Sequence, residues 1–193
     1  IDPCFSYDRS LFLPHGKFTI LYGALGGRKS QYKGFDDLAA ALSLLPPEVK
    51  VASELHIFGE DANTCETEGV VTRFLGKITS PQRLVSIYHR ADVFAFPSRE
   101  ETQGMTKIEA MLCGLPVVVF DRTACAEGIE HGVSGWIAKD DDITQYAEGI
   151  QWMFGLWKEN RLDILKGSIS ERARRLFFQA GIVGKMAQMY EMD

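Results

Sequence analysis

Two glutamates, Glu101 and Glu109, are separated by seven residues and flank the glycine Gly104. An ionised carboxylate accepts hydrogen bonds at both oxygens, so it can take both hydroxyls of a ribose, and a pair of carboxylates suits a ligand rich in hydroxyl groups. The simpler interpretation is a pair of charges that offset a helix dipole. Glu109 lies between Ile108 and Ala110 in an apolar segment, and this setting favours a binding role.

The residues from Gly104 to Gly114 are predicted to form the helix that carries Glu109, with apolar side chains along one side and a glycine at its end. Gly104, Met105 and Thr106 form its first turn. The backbone N–H groups there have no partner within a helix, so they can bind the oxygens of a phosphate. The alternative is an ordinary, uncapped helix start.

The elements on either side of this helix place it at the edge of a sheet. The apolar run from Ala91 to Pro97 and the β-branched run from Pro116 to Phe120 are predicted strands. Strand, helix and strand with short links form a βαβ unit, whose strands are parallel. The loop that carries Glu101 then lies at the carboxyl edge, where open α/β sheets bind their ligands.

Strands and helices alternate along the rest of the chain. This order predicts an α/β fold with a Rossmann-like, doubly wound parallel sheet of about six strands and helices on both faces. The two prolines Pro46 and Pro47 are expected to stop a helix. The other predicted strands cover Phe18–Ala24, a segment ending at Leu55–Phe58, Val70–Leu75 and Gly135–Ala138, and the other helices Gly34–Leu45, Pro81–Arg90, a short one near Ala124–Glu130, and the segment from Ile143.

Composition excludes several classes of function. The 193 residues carry a net charge of −5, which disfavours a nucleic-acid partner. The four cysteines form no CxxC pair and the four histidines stand apart, so we expect reduced thiols in a cytoplasmic protein and no metal site. The run of aspartates from Asp140 to Asp142 precedes a predicted helix and is expected to cap it.

The stretch from Glu101 to Val118 resembles a known signature. Its sequence, ETQGMTKIEAMLCGLPVV, is similar to the donor-site motif of retaining glycosyltransferases of family four (glycosyltransferase group 1), which have the two-domain GT-B fold. The resemblance rests on the acidic pair together with Glu-Ala-Met, Gly and Pro-Val-Val at fixed spacing. One position departs from the pattern: Gln103 stands where the family usually has phenylalanine.

The resemblance implies a role for each polar residue of the motif. Glu101 contacts the donor sugar, Glu109 binds the ribose, and the amides of residues 104–106 bind the diphosphate. The loop after the first strand contains a Gly-Arg pair and, after four further residues, a Lys-Gly pair. This spacing is similar to a motif of the family, so Arg28 and Lys33 are expected to neutralise the diphosphate leaving group. Lys29 is an alternative to Arg28, and a solvated basic loop is the alternative for all three.

Residues after two other strands are the candidates for holding the base. In the family this region acts mostly through backbone groups, which here implicates Gly59, Gly76 and Ile78. Ordinary turn glycines are an equal explanation. The sequence does not distinguish uracil, guanine and adenine, nor does it identify the sugar.

At the level of the whole chain, the resemblance implies the carboxyl-terminal, nucleotide-sugar-binding domain of a larger transferase. Residues 1–16 would be the interdomain linker, and a helix at about 180–193 would pack towards the missing amino-terminal domain. That domain would bind a glycan or lipid-linked acceptor in polysaccharide biosynthesis, with possible contact at the inner face of the membrane. No metal or cofactor is expected. A non-catalytic nucleotide-sugar-binding module and a sugar-nucleotide epimerase are the alternatives.

Overall fold

The computed structural model describes residues 1–11, 16–23, 28, 31–122 and 124–179. The predicted terminal helix at 180–193, and Lys29 and Ala24, lie outside these ranges. No helix in the described part of the chain combines the length and the apolar character needed to cross a membrane.

The centre of the fold is a seven-stranded sheet with the order β3-β4-β2-β1-β5-β6-β7. Six of its strands run parallel, and β3 is antiparallel to its neighbour β4. The strands β1, β5 and β6 at the centre of the sheet are almost continuously apolar, as expected of strands covered on both faces. The strands are β1 (Phe18–Gly23), β2 (Ser53–Phe58), β3 (Cys65–Thr67), β4 (Val70–Phe74), β5 (Val93–Phe96), β6 (Val117–Phe120) and β7 (Gly135–Ala138).

Within residues 1–179, leaving aside the gaps named above, six α-helices cover the two faces of this sheet. Two separate apolar cores result: α1, α2 and α5 contribute to one, and α3, α4 and most of α6 to the other. The helices are α1 (Phe35–Ser43), α2 (Pro47–Ala52), α3 (Pro81–Arg90), α4 (Met105–Leu112), α5 (Ile143–Lys158) and α6 (Leu162–Arg174), and a π-helical turn follows at Arg175–Gln179. The predicted doubly wound α/β fold is confirmed.

Two helix starts are capped by a side chain. The Ser80 side chain accepts a hydrogen bond from the Arg83 amide, and Pro81 occupies the first position of α3, where its missing N–H costs nothing. Asp142 caps α5 by accepting from the Gln145 amide at 2.9 Å. The prediction that this aspartate caps a helix is therefore confirmed.

Three details differ from the prediction. The short hairpin strand β3 adds a seventh strand; it pairs with β4 across Glu68 and Gly69, whose φ angles of 51° and 85° fit a tight hairpin turn.

The second difference is an additional helix. Proline stops α1 near Ser43 as predicted, but Pro47 also begins α2, because the first position of a helix tolerates a missing N–H.

The third difference concerns residues 124–130, which form turns instead of the predicted helix. The carbonyl oxygens of Ala124, Cys125 and Glu127 accept hydrogen bonds from the Lys107 ammonium. Gly128 then takes a φ of +82°. Carbonyls that converge on one ammonium do not align along a helix axis, so this prediction was wrong.

The amino-terminal residues pack against the core that contains α3 and α4. Phe5 is buried against Tyr88, with ring centroids 6.2 Å apart. The Asp8 amide donates a hydrogen bond of 2.9 Å to Nε2 of His89, and the ring of Tyr7 stacks on the same histidine. The interdomain role of this segment stays a prediction.

Candidate functional site

The sheet order creates a crevice at the carboxyl ends of β1 and β5. After β1 the chain forms β2 on one side of that strand, and later it forms β5 on the opposite side of β1. Such a reversal of strand order leaves room for a ligand between the two loops. The loop residues after β1 include Lys33, and those after β5 include Glu101, so two predicted site residues flank the crevice.

Lys33 and Glu101 meet across this crevice. The Lys33 ammonium donates a hydrogen bond to Oε1 of Glu101, and the Ser98 hydroxyl donates to the same oxygen at 3.2 Å. The Lys33 side chain is 29% exposed and that of Glu101 is 12% exposed. A cation and an anion, both reachable from solvent, are thus held side by side between two strands.

Backbone contacts fix the two loops to each other. The Tyr32 carbonyl accepts a hydrogen bond from the Arg99 amide at 2.8 Å, and the Ser98 hydroxyl oxygen lies 3.2 Å from the same carbonyl oxygen. The next glycine, Gly34, has a φ of +67°, and a Cβ atom there would lie 2.1 Å from the Pro97 carbonyl oxygen. Only glycine permits this approach, and the approach determines where Lys33 is presented.

Helix α4 begins beside this pair without a side-chain cap. Gly104 precedes the helix in the left-handed conformation, with a φ of 63°. A Cβ atom at that position would lie 3.2 Å from the Phe96 ring. The amides of Met105 and Thr106 belong to the first turn, where backbone donors have no acceptor within the helix. The first turn therefore has the properties of an anion-binding site, and its occupancy by phosphate stays a prediction.

Glu109 lies one turn further along α4, half-buried against α3. The Tyr88 hydroxyl lies 3.2 Å from Glu109 Oε2 and 3.1 Å from the Thr106 carbonyl oxygen. Burial raises the pKa of the Glu109 carboxyl, and the hydrogen bond from Tyr88 lowers it in part. Burial raises the pKa of Tyr88 well above its usual value, so its hydroxyl stays protonated and acts as a donor.

Lys107 is the other charged residue of this helix, and it is fully buried. Its ammonium donates to the carbonyls of Ala124, Cys125 and Glu127 at 2.7, 3.1 and 3.0 Å. Three acceptors match the three hydrogens of an ammonium group. Burial lowers the pKa of Lys107. The lysine fixes the loop after β6 to the helix that carries Glu109.

Arg28 has a different environment from the one predicted. Its guanidinium makes two hydrogen bonds to the Glu60 carboxylate, at 2.9 and 3.2 Å, and lies 4.6 Å from the centre of the Phe74 ring. The hydrogen bond to Glu60 raises the pKa of Arg28. In the structure Arg28 is thus bound by the loop after β2, while Lys33 is bound by the loop after β5. Its contact with a diphosphate stays a prediction.

The residues predicted to hold a base lie together at the ends of β2 and β4. The Gly59 amide donates to the Gly76 carbonyl at 2.9 Å. Gly76 has a φ of +74°, and a Cβ atom there would lie 2.6 Å from Asp61 Oδ1. Ile78 packs against the apolar core below. These contacts form one continuous turn region at the sheet edge, and its binding of a base stays a prediction.

Sequence reasoning missed four residues of this region: Ser98, Glu60, Tyr88 and Lys107. Ser98 and Glu60 follow strand ends, a position that signals a ligand edge. Lys107 stands in an apolar helix segment, a signal that was available. Nothing in the sequence around Tyr88 links it to Glu109. Within the described ranges, no group of three or more histidine, cysteine, aspartate or glutamate side chains is arranged to hold a metal ion.

Comparison with protein families matches residues 19–155, more than half of the chain, to the family described as glycosyl transferases group 1. D-inositol 3-phosphate glycosyltransferase 1 of Catenulispora acidiphila is 31% identical over 156 residues. The match covers 73% of this chain and 37% of that protein. The chain thus spans well under half of this relative's length.

Two solved structures have the same fold over nearly the whole chain. Sucrose-phosphate synthase from Thermosynechococcus elongatus superimposes with a TM-score of 0.74 at 23% identity, covering 97% of this chain and 49% of that one. The pneumococcal O-GlcNAc transferase GtfA, in complex with UDP and GlcNAc, has a TM-score of 0.70 at 20% identity, covering 97% and 37%. At these identities the likeness concerns the fold.

Proposed function

Because the chain belongs to the glycosyl transferases of group 1, we propose that it is the donor-binding domain of a retaining enzyme. This enzyme transfers a sugar from a nucleotide-diphosphate sugar to an acceptor hydroxyl. The meeting of Lys33 with Glu101 beside the first turn of α4 carries the proposal. A cation and free amides suit the diphosphate, and a carboxylate beside them suits the hydroxyls of the attached sugar.

Each part of the donor then has a partner at the carboxyl edge. Lys33 and the amides of residues 104–106 bind the diphosphate, Glu101 binds the sugar, and Glu109 binds both ribose hydroxyls. The turn formed by Gly59 and Gly76 lies next to them and holds the base together with Ile78. Arg28 reaches the diphosphate only after its ion pair with Glu60 separates.

In the proposed reaction, the acceptor oxygen bonds to the anomeric carbon on the face from which the diphosphate departs. The bond between that carbon and the phosphate oxygen breaks, its electron pair leaves with the diphosphate, and the departing phosphate accepts the proton of the acceptor. This course retains the anomeric configuration without a protein nucleophile. The chain's own task is electrostatic: Lys33 and the α4 amides stabilise the negative charge that grows on the leaving group. The proposal requires neither a metal ion nor a cofactor.

The proposal extends to a larger protein. The match to D-inositol 3-phosphate glycosyltransferase 1 covers only 37% of that protein. We therefore propose that the acceptor, a glycan or a lipid-linked hydroxyl, binds to a domain outside this chain. Such an enzyme would act in the cytoplasm, at the inner face of the membrane where the acceptor is lipid-linked. The chain alone would then bind donor without transferring sugar.

Calorimetric titration of the 193-residue chain with UDP, GDP and ADP, and with NAD as a control ligand, tests the site. We expect saturable binding of one diphosphate, weakened at least about tenfold by Lys33→Ala, since a charge-assisted hydrogen bond is lost. Glu109→Ala should weaken it similarly. Lys139→Ala removes an exposed lysine at the same sheet edge and should change nothing. Binding that survives both Lys33→Ala and Glu109→Ala would refute the site.

A non-catalytic binding module is the second candidate, and the Arg28–Glu60 pair favours it, because this pair holds one of the two predicted diphosphate cations. The two candidates differ in turnover. A protein that joins this chain to its acceptor domain should release diphosphate from a nucleotide sugar if the enzyme proposal holds. Tight donor binding with no release, under conditions in which a related transferase turns over, would favour the module.

A further inference from the structure

The Tyr88 hydroxyl is the one polar group of a ring that is otherwise buried among other aromatic rings. The residue is 1% exposed. Its ring makes edge contacts with Phe5, Phe58 and Phe94, with centroids 6.2, 6.2 and 5.9 Å apart. These contacts determine the direction of the ring, and the hydroxyl therefore points at α4 from a fixed position. A phenol with a packed body and a bonded tip is well suited to orient a flexible neighbour.

That hydroxyl has one hydrogen and two acceptors within reach. The Thr106 carbonyl lies 3.1 Å away and Glu109 Oε2 lies 3.2 Å away. As a carbonyl inside α4, Thr106 also accepts from the amide four residues on. A carboxylate is the stronger acceptor, because charge-assisted hydrogen bonds are roughly twice as strong as neutral ones. Ionisation of Glu109 therefore directs the hydrogen towards its side chain.

We propose that Tyr88 is a positioning residue for Glu109, holding its carboxylate in one orientation and in the ionised form that accepts the two hydroxyls of a nucleotide ribose. A carboxylate has about four lone-pair sites, so one bond to Tyr88 leaves capacity for both hydroxyls of the diol. This inference rests on the proposed function, since it assigns a second residue to the ribose subsite of the same donor site.

The surroundings of Glu109 determine the sign of the pH dependence. Tyr88 faces it from α3, Cys113 from the residue that follows its own helix, and Cys4 and the amino group of Ile1 from the amino-terminal segment. Burial raises the pKa of Glu109, and the Tyr88 hydrogen bond opposes that rise. Binding that needs the carboxylate therefore weakens as the pH falls through this pKa. Loss of the Tyr88 hydroxyl moves the weakening to higher pH.

The first test needs no ligand. Tyr88→Phe removes the hydroxyl and keeps the ring, and carbon NMR of the glutamate carboxyls follows the titration of Glu109, assigned by its disappearance in Glu109→Gln. Tyr146→Phe is the matched control, since Tyr146 is also fully buried, donates 2.9 Å to the Val118 carbonyl and belongs to the other core. We expect the pKa of Glu109 to rise in Tyr88→Phe only. An unchanged pKa in Tyr88→Phe overturns the inference.

The second test reads the ribose contact directly. UDP, GDP and ADP and their 2′,3′-dideoxy analogues are titrated into wild type, Tyr88→Phe and Tyr146→Phe. Wild type should bind the ribose form more tightly than the dideoxy form. In Tyr88→Phe the ratio of the two affinities should fall about fivefold, the value of one hydrogen bond, and the pH below which binding of the ribose form weakens should be higher. Equal weakening of ribose and dideoxy forms would mean a merely structural role. If wild type binds none of the diphosphates, the proposed function fails, whatever the NMR titration gives.

Discussion

Glu101 and Glu109 have the same side chain and belong to one motif, yet the structure gives them opposite environments. Glu101 lies in a loop and accepts from the charged Lys33 and the polar Ser98. Glu109 lies in a helix and meets the neutral phenol of Tyr88, while burial raises the pKa of its carboxyl. The spacing of a motif therefore does not determine the burial or the hydrogen-bond partners of its members; the elements packed against them do.

The two regions are also stabilised differently. The loop after β5 is fixed by polar contacts to the loop after β1, through the Tyr32 carbonyl and the Lys33 ammonium. Helix α4 is fixed by apolar burial on one side and by the buried ammonium of Lys107 on the other. Removal of the buried Lys107 ammonium should therefore affect folding, and substitutions in the loop should affect binding.

The largest effect is expected from Lys107→Met. Methionine fills the space but leaves three carbonyls without their donor, and the free energy of unfolding should fall by about 3 kcal/mol. Urea denaturation measures this change. Lys158→Met, the same substitution at an exposed lysine, should change stability by no more than about 0.5 kcal/mol. Equal values for the two variants would mean that the buried Lys107 ammonium does not stabilise helix α4.

Glu101→Gln should have an intermediate effect whose sign depends on the ligand. The carboxylate competes with a phosphate for Lys33, so its neutralisation should strengthen the binding of UDP about threefold, a modest surface-charge effect. The sugar hydroxyls lose a charged acceptor, so the extra affinity for UDP-glucose should fall about tenfold. Calorimetry with both ligands measures the two changes. If the chain binds GDP or ADP and not UDP, that diphosphate and its glucose conjugate are used instead.

Glu100→Gln is the matched control for that experiment, because Glu100 is the exposed neighbour of Glu101 and has the same charge. It should leave the ratio of the two affinities unchanged. A parallel loss of both affinities in Glu101→Gln would show that the residue supports the loop and does not distinguish a sugar nucleotide from the free diphosphate.

Arg99→Gln should have the smallest effect. Arg99 makes a two-pronged contact with Asp37, at 2.8 and 2.9 Å, but its side chain is 45% exposed. Such pairs contribute about 0.5 kcal/mol, so thermal unfolding should change little. Arg161→Gln is the control, because it breaks the exposed pair with Glu159. It should lower the free energy of unfolding by the same small amount and leave ligand binding unchanged. A loss above about 2 kcal/mol for Arg99→Gln would mean that surface pairing, too, holds the loop.

The strands β5 and β6 and the helix between them were predictable, because apolar runs, glycine and proline determine them locally. The short strand β3 was not, since its three residues have no apolar pattern and its pairing depends on the turn at Glu68 and Gly69. The turns at residues 124–130 depend on Lys107, which is distant in sequence.

The same distinction applies to the candidate site. Glu101 and Lys33 could each be assigned a role from the motif, but their direct contact depends on the pairing of β1 with β5. Tyr88 contacts Glu109 only because α3 and α4 share one core. Arg28 finds Glu60 because β1 and β2 end side by side. Contacts between elements of this kind are not encoded in local residue patterns.

The hairpin strand β3 has a consequence for the behaviour of the protein in solution. A sheet that ended at β4 would present a five-residue strand with an apolar and partly exposed row, from Val70 to Phe74, to other chains. With β3 in place, the outermost strand is only three residues long and carries the exposed Glu66. Short, charged edges are poor templates for strand addition. The hairpin thus protects the sheet from intermolecular aggregation at this edge.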